Sequence, residues 1–443
     1  MQVNTTYKDI LRIAYPVVIG SISVTVLNVT DTIFLGRVGE TELGAAGLGG
    51  VFYFVLAMIG IAIGVGSQIL VARRAGEKNE EAIGDIFDHS FIILVSIGLV
   101  LFLFVNIFSP QLLQVLIREE STRAAATLFL HYRAFGLTAV FCATAFRGLY
   151  VGLATPKVYG IYSAIMAAIN ILLGWLLVFG NWGFPKMGIA GAGIASSVAE
   201  WLALIFLFLY TLLKHDIKKY KLFRFHKFDF REARKILVLS APLVVQNFIS
   251  MGAWFIFFVI IEKMGKHELA ISNLARSAYM VSMTPIWGFS IAANSMVSNI
   301  IGQNKSSDVM PLLKKVLVLA VLTTMVMIIL NAAIPKVILG MFTQDPVLVN
   351  DSIGVLRMVN LAMLFFSAAI VCISGVSGTG ATQTALLIEV AAIIVYMAYI
   401  YIIVFPLKGS LEMAWLAEAI YWIFTGALCF LFLRSGRWKK INI

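Results

Sequence analysis

The feature that most constrains this chain is the length of its uncharged apolar runs. Twelve segments reach about 20 residues or more, the span a helix needs to cross the hydrocarbon core: 11–36, 44–71, 86–109, 125–152, 158–180, 188–213, 236–261, 269–301, 312–334, 351–378, 383–405 and 411–433. The runs are continuously apolar instead of alternating, and too long for tilted barrel strands, so transmembrane strands are excluded. The expected fold is an all-α integral membrane protein with twelve transmembrane helices. Composition agrees, since 13% charged residues is about half of what a water-facing surface requires.

A net charge of +11 could signal nucleic-acid binding, but its distribution argues otherwise. Taking alternate ends of the spans, 22 basic residues fall on one side and 8 on the other, with Arg133, Arg147, Arg276 and Arg357 within or beside spans. This excess places both termini in the cytoplasm of a multi-pass inner-membrane protein. Nine of the 22 lie in residues 214–235, read as a cytoplasmic linker touching anionic headgroups, with no nucleic-acid partner.

The chain repeats itself. One constant shift pairs Pro16 with Pro242, Arg37 with Lys263, Gly39 with Gly265, Glu42 with Glu268 and Gly76 with Gly302, without a gap; a single further position of shift then pairs Gly148 with Gly375 and Thr155 with Thr382. Six spans per repeat is an even number, so the halves are parallel and related by an axis along the membrane normal, as in secondary transporters with a central cleft. The expected organisation is an N-terminal six-helix lobe over 1–213, the basic linker over 214–235 and a C-terminal lobe over 236–443 with a basic tail. Pro16 and Pro242 are read as helix-start residues, and the glycine-rich stretches 44–50, 188–193 and 375–380 as sites of close helix packing.

Three motifs carry a family resemblance. They are PVVIGSISVTVLNVTDTIFLGRVGETELGAAGL at 16–48, NILLGWLLVFGNWGFPKMGIAGAGIASS at 170–197 and GVSGTGAT at 375–382. In this order and spacing the chain resembles the multidrug and toxic compound extrusion family, within the superfamily that includes oligosaccharide and polysaccharide flippases. The resemblance implies antiport by alternating access: bulky, often cationic organic compounds leave in exchange for protons or sodium ions. The alternative is a lipid-linked oligosaccharide or polysaccharide flippase, for which Arg147, Arg276 and Arg357 offer pyrophosphate contacts.

No phosphate-cradling Gly-x-x-x-x-Gly-Lys-Ser/Thr loop is present, so an ion gradient supplies the work. His89, His131, His215, His226 and His267 show no metal-ligand spacing and are read as loop or interfacial side chains. The three cysteines, all in apolar runs, are read as buried hydrophobes. Neither a cofactor, a metal site nor an enzyme's reactive constellation is expected, and the self-contained bundle is read as a monomer.

Acids inside spans ask for a reason. Asp31 leads, because Ser21, Thr25, Asn28 and Thr32 recur beside it at helical spacing and form a polar stripe suited to a cavity. Loss of water favours a neutral carboxyl, so such a group takes up an external proton before the cavity closes. The resemblance implies partners for Asp31: Asn170 and Ser196 match the family's Asn and hydroxyl, while Gly174 replaces a second acid. The loss of that ligand, and neutral Gln246, Asn247 and Ser250 where another branch carries an acid, favour the proton over sodium. Ordinary interhelical hydrogen bonding explains Asn170 and Ser196 equally well.

Among the remaining acids, Glu389 and Tyr396 are seven residues apart on one helix face, suited to an organic cation. Gln246, Asn247, Asn28 and Thr32 complete the candidate substrate cavity. The competing reading pairs Glu389 with Arg147 or Arg357. Glu200 and Glu418 are read as structural.

Overall fold

The computed structural model describes residues 2–214, 218–225, 228–441 and 443; His215 and His226 lie outside them. Among the described residues, twelve long helices follow one another: α1 (Tyr7–Val38), α2 (Glu40–Glu77), α3 (Glu80–Leu116), α4 (Glu120–Gly152), α5 (Lys157–Phe179), α6 (Gly188–Leu213), α7 (Phe230–Glu262), α8 (Lys266–Gly302), α9 (Val309–Ala333), α10 (Pro346–Gly378), α11 (Thr382–Val404) and α12 (Leu411–Ser435), with a short helix at Pro335–Gly340 after α9. Eleven are long and apolar enough to cross a membrane. The twelfth, α8, has 37 residues but buries Ser282, Ser290, Asn294, Ser295, Ser298 and Asn299, so its hydropathy is lowered by polar groups turned inward.

Helix starts follow from local chemistry. The Asn79 side chain accepts the Ala82 N–H at 3.1 Å at the start of α3. Asp345 accepts from Val347 and Leu348 at α10, and Ser410 from Met413 at α12. Pro16 and Pro242 correct the expectation, for they lie well inside α1 and α7 rather than in first turns. The helices begin in polar sequence ahead of the apolar run, which hydropathy does not register. An interior proline lacks the N–H that would meet the carbonyl four residues back, so each marks a weak point.

The chain forms two compact units: Ile19–Val244, and Gln2–Val18 with Val245–Ile443. The switch points after Val18 and Val244 are related by the same shift that sets Pro16 on Pro242 in the sequence repeat. In the first unit α4 is the most enclosed helix, and in the second α8 and α10 are. The α2–α4 contact is close because Gly148 sets its Cα against the Gly64 carbonyl, where a Cβ would stand 3.0 Å from that oxygen. In the glycine-rich stretches Gly49, Gly191, Gly193, Gly375 and Gly378 pack in this way, whereas Gly44, Gly47 and Gly50 face open space. Cys142, Cys372 and Cys429 are free.

The described residues between α6 and α7 are held more firmly than a basic loop requires. Asp88 of α3 accepts three consecutive backbone N–H groups, from Phe223, Arg224 and Phe225, at 2.8, 2.9 and 3.0 Å. Phe223 packs among Phe87, Phe91, Phe146 and Phe208, and Lys219 pairs with Glu80 at 2.7 Å. His89 corrects the expectation for the histidines: it is buried, with Nδ1 2.7 Å from the Asp85 carbonyl and Nε2 accepting the Asp229 N–H at 2.9 Å. His131 is exposed, and His267 pairs with Asp351 at 2.8 Å. Charge-assisted bonds contribute about 1.5–3 kcal/mol. Asp88→Ala is therefore expected to speed tryptic cleavage at Lys221 and Arg224 about tenfold or more; cleavage at the wild-type rate would show that the phenylalanines alone hold the segment.

Candidate ion-coupling site

In the first unit α1, α5 and α6 bring Asp31, Asn170 and Ser196 together. Asn170 is 1% exposed, and its Nδ2 donates to Ser196 Oγ at 2.9 Å. The same amide lies within hydrogen-bonding reach of the Asp31 carboxyl. Asn170 Oδ1 is buried without a partner, an acceptor that a protonated carboxyl or a cation could satisfy. The site therefore offers one carboxylate, one amide oxygen and one hydroxyl. The Phe34 ring explains the missing second acid, because a Cβ at Gly174 would stand 3.3 Å from it. Phe34 in turn meets Phe179 edge-on at 5.3 Å.

The stripe on α1 is less available than its spacing suggests. Thr25 donates to the Ser21 carbonyl at 3.0 Å and Thr32 to the Asn28 carbonyl at 2.9 Å, so both hydroxyls close on their own helix. Asn28 and Thr32 are exposed and Asp31 is half-buried.

One turn beyond Ser196 on α6 stands Glu200, the partner of Arg133. The guanidinium of Arg133 on α4 donates twice to its carboxylate, both at 2.6 Å, and lies 3.7 Å over the Tyr53 ring. Tyr53 Oη adds longer contacts of 3.4 and 3.3 Å to the same two oxygens. Gly136, one turn after Arg133, leaves the space into which this carboxylate fits. Neither Arg147 nor Arg357 forms an ion pair with a buried acid among the described residues. Arg133 competes better because α4 and α6 pack closely where Gly193 meets the α4 backbone. The Arg133–Gly136 spacing was the available signal for this pair.

The second unit gathers its own acids. Glu389 of α11 accepts from Ser250 of α7 and Tyr421 of α12, with Gln246 within hydrogen-bonding reach. Tyr396 corrects the expectation that it serves Glu389, because its hydroxyl donates to Glu418 at 2.9 Å. The seven-residue spacing puts Tyr396 two turns along α11, where α12 presents Glu418. Asn247 follows Gln246 by one residue and is turned about 100° away from it around α7. Among the described residues no ion pair joins Glu389 or Glu418 to a base, and no group of His, Cys, Asp and Glu could hold a metal ion.

Comparisons agree with this architecture. The MatE family model matches residues 16–176 and again 242–402, the second match in the same register from Pro242 as the first from Pro16. A probable multidrug resistance protein NorM from Thermotoga maritima is 22% identical over 98% of this chain and 93% of its own length. A probable multidrug resistance protein NorM from Acinetobacter baylyi is 26% identical over 76% of each chain. A MOP superfamily transporter from Pyrococcus furiosus, described as having a binding pocket of reversed polarity that suggests a different function, superposes with a TM-score of 0.91 at 18% identity, covering 98% of this chain and 97% of that one. A multidrug resistance MATE family transporter of the same superfamily, in an outward-facing conformation, gives 0.90 at 18% identity over the same shares. With its duplicated six-helix halves and a matched family pattern in each, the chain is a multi-pass membrane transporter, not an enzyme, and belongs to the MatE family.

Proposed function

We infer that this transporter exports bulky, often cationic organic compounds in exchange for an inward-moving cation, with the proton favoured over sodium, by alternating access of lobes 1–213 and 236–443 joined by linker 214–235. The observation that carries this reading is the meeting of Asp31, Asn170 and Ser196 around a single carboxyl, with Phe34 in place of a second acid. A sodium ion asks for several hard oxygens and gains from a second carboxylate; a proton needs one. Protonation of Asp31 from outside gives the unpaired Asn170 oxygen a donor and favours release of the substrate, and loss of the proton to the cytoplasm resets the cycle. Two curated relatives named as multidrug resistance proteins support the export of drugs. The basic excess supports cytoplasmic termini in an inner membrane, and a self-contained bundle supports a monomer.

The test is ethidium transport in vesicles of phosphatidylethanolamine and phosphatidylglycerol under separate proton and sodium gradients. Uptake that follows the proton gradient is the expected result, and strict sodium dependence would overturn the choice of ion. No dye movement under either gradient would favour the flippase reading, for which Arg276, set 4.9 Å from the Phe258 ring without an acidic partner among the described residues, supplies a cation.

A further inference from the structure

Glu389 and its surroundings in the second unit are not explained by the site around Asp31. The residue is 3% exposed, lies in a membrane-spanning helix and forms no ion pair with a base among the described residues. Of the titratable groups around it, Tyr421 of α12 donates to it, Glu418 stands one turn before Tyr421 on the same helix, and Cys429 of α12 lies within electrostatic range of both Glu389 and Cys372 of α10. From α7 it meets the neutral Ser250 and Gln246. A carboxylate enclosed in this way would be an isolated buried anion, so the closed arrangement holds the neutral acid. In that form Oε1 accepts from Ser250 and Tyr421, with the Gln246 amide within hydrogen-bonding reach of the carboxyl.

One group has no place in that arrangement. Thr425 is 0% exposed and its hydroxyl has no hydrogen-bond partner. Tyr421, Thr425 and Cys429 recur every four residues on α12, and Tyr421 donates to Glu389, so Thr425 lies on the stripe that Tyr421 begins. A neutral Glu389 does not need a third hydroxyl donor, whereas an ionised one does. An unpaired buried donor is costly to keep.

The repeat register sharpens the contrast. The shift that sets Pro242 on Pro16 places Gln246 on Gly20, and the shift one position longer that holds from Gly375 onward places Glu389 on Tyr162. The second unit thus carries an acid and an amide where the first has a tyrosine and a glycine. Gln246 and Ser250 occupy one turn of α7, directly after the weak point at Pro242, so displacement of that single turn uncovers the carboxyl.

We propose that Glu389 is a second proton-carrying site, which binds a proton when Gln246 and Ser250 cover it and releases it to water when that turn of α7 withdraws, leaving a carboxylate held by Tyr421 and Thr425. This rests on the ion-coupled reading above, with a count of two protons in place of one.

Infrared difference spectra of the detergent-solubilised protein between acidic and alkaline buffer test the site without any substrate. A protonated-carboxyl band that is lost in Glu389→Gln but kept in Asp31→Asn is expected, and Tyr421→Phe, which keeps the ring, should shift that band. A spectrum with no Glu389-dependent change would make this residue a permanently neutral structural acid and overturn the proposal. In ethidium accumulation driven by a proton gradient, Glu389→Gln should lower the steady-state ratio about tenfold per pH unit, the loss of one coupled proton. An unchanged ratio would overturn the proposal too. Failure of the wild type to accumulate dye would instead count against the ion-coupled reading, while the infrared result still decides whether Glu389 exchanges its proton.

Discussion

Asp31→Asn is expected to lower ethidium accumulation driven by a proton gradient at least tenfold per pH unit, the work of one coupled proton, while leaving the protein folded in the membrane. The substitution keeps the size and polarity of the side chain and removes only the group that gains and loses a proton. Asn170 and Ser196 remain joined at 2.9 Å, so the local helix contacts persist. An amide at position 31 cannot alternate between charged and neutral forms, so a proton that Asp31 carries no longer adds its work to export. The measurement is ethidium export from cells and uptake into proteoliposomes, with a folded, monodisperse variant as the control. Export by Asp31→Asn at the wild-type rate would remove this residue from the coupling step and leave the Asn170–Ser196 bond as ordinary helix packing.

The second large effect is on stability. Removing one partner of a buried ion pair leaves the other charge uncompensated, at a cost of about 3–5 kcal/mol, whereas replacing both by apolar groups is often close to neutral. Arg133→Leu should therefore lower the thermal midpoint of the solubilised protein strongly, and Arg133→Leu with Glu200→Leu should recover most of that loss. Gly136→Ala places a methyl where the Glu200 carboxylate sits, so it should be damaging alone and nearly silent in the double variant. Single variants that unfold with the wild-type midpoint would mean that the pair is already solvated and that α4 and α6 are held by apolar packing. The same cycle asks whether the pair communicates with Asp31, since Ser196 and Glu200 are one turn apart on α6 and both acids feel the Arg133 charge.

What the amino-acid sequence determined by itself is the part of the structure that solvent and chain period dictate. Long uncharged runs have one outcome in a bilayer, so the number of long helices, their order and the duplication that sets Pro16 on Pro242 were legible without coordinates. The Asp31, Asn170 and Ser196 grouping was legible through a resemblance, and only because its motifs keep their spacing. Choice of partner was decided by the tertiary structure alone. The sequence offered Arg147 and Arg357 as counterions for a buried acid, whereas the close α4–α6 approach at Gly136 and Gly193 sets Glu200 against Arg133. Glu389 and Tyr396 share a helix face in sequence, yet seven residues put them two turns apart, and different residues of α12 meet each of them. The basic character of the 214–235 segment said nothing of Asp88, because one carboxylate receiving three backbone N–H groups leaves no pattern in side-chain types. Periodicity reports which face of a helix is buried; it does not report which residue of which helix lies against that face, whether on the next helix, as for Asn170 with Ser196 and Tyr396 with Glu418, or on a more distant one, as for Arg133 with Glu200 and Ser250 with Glu389.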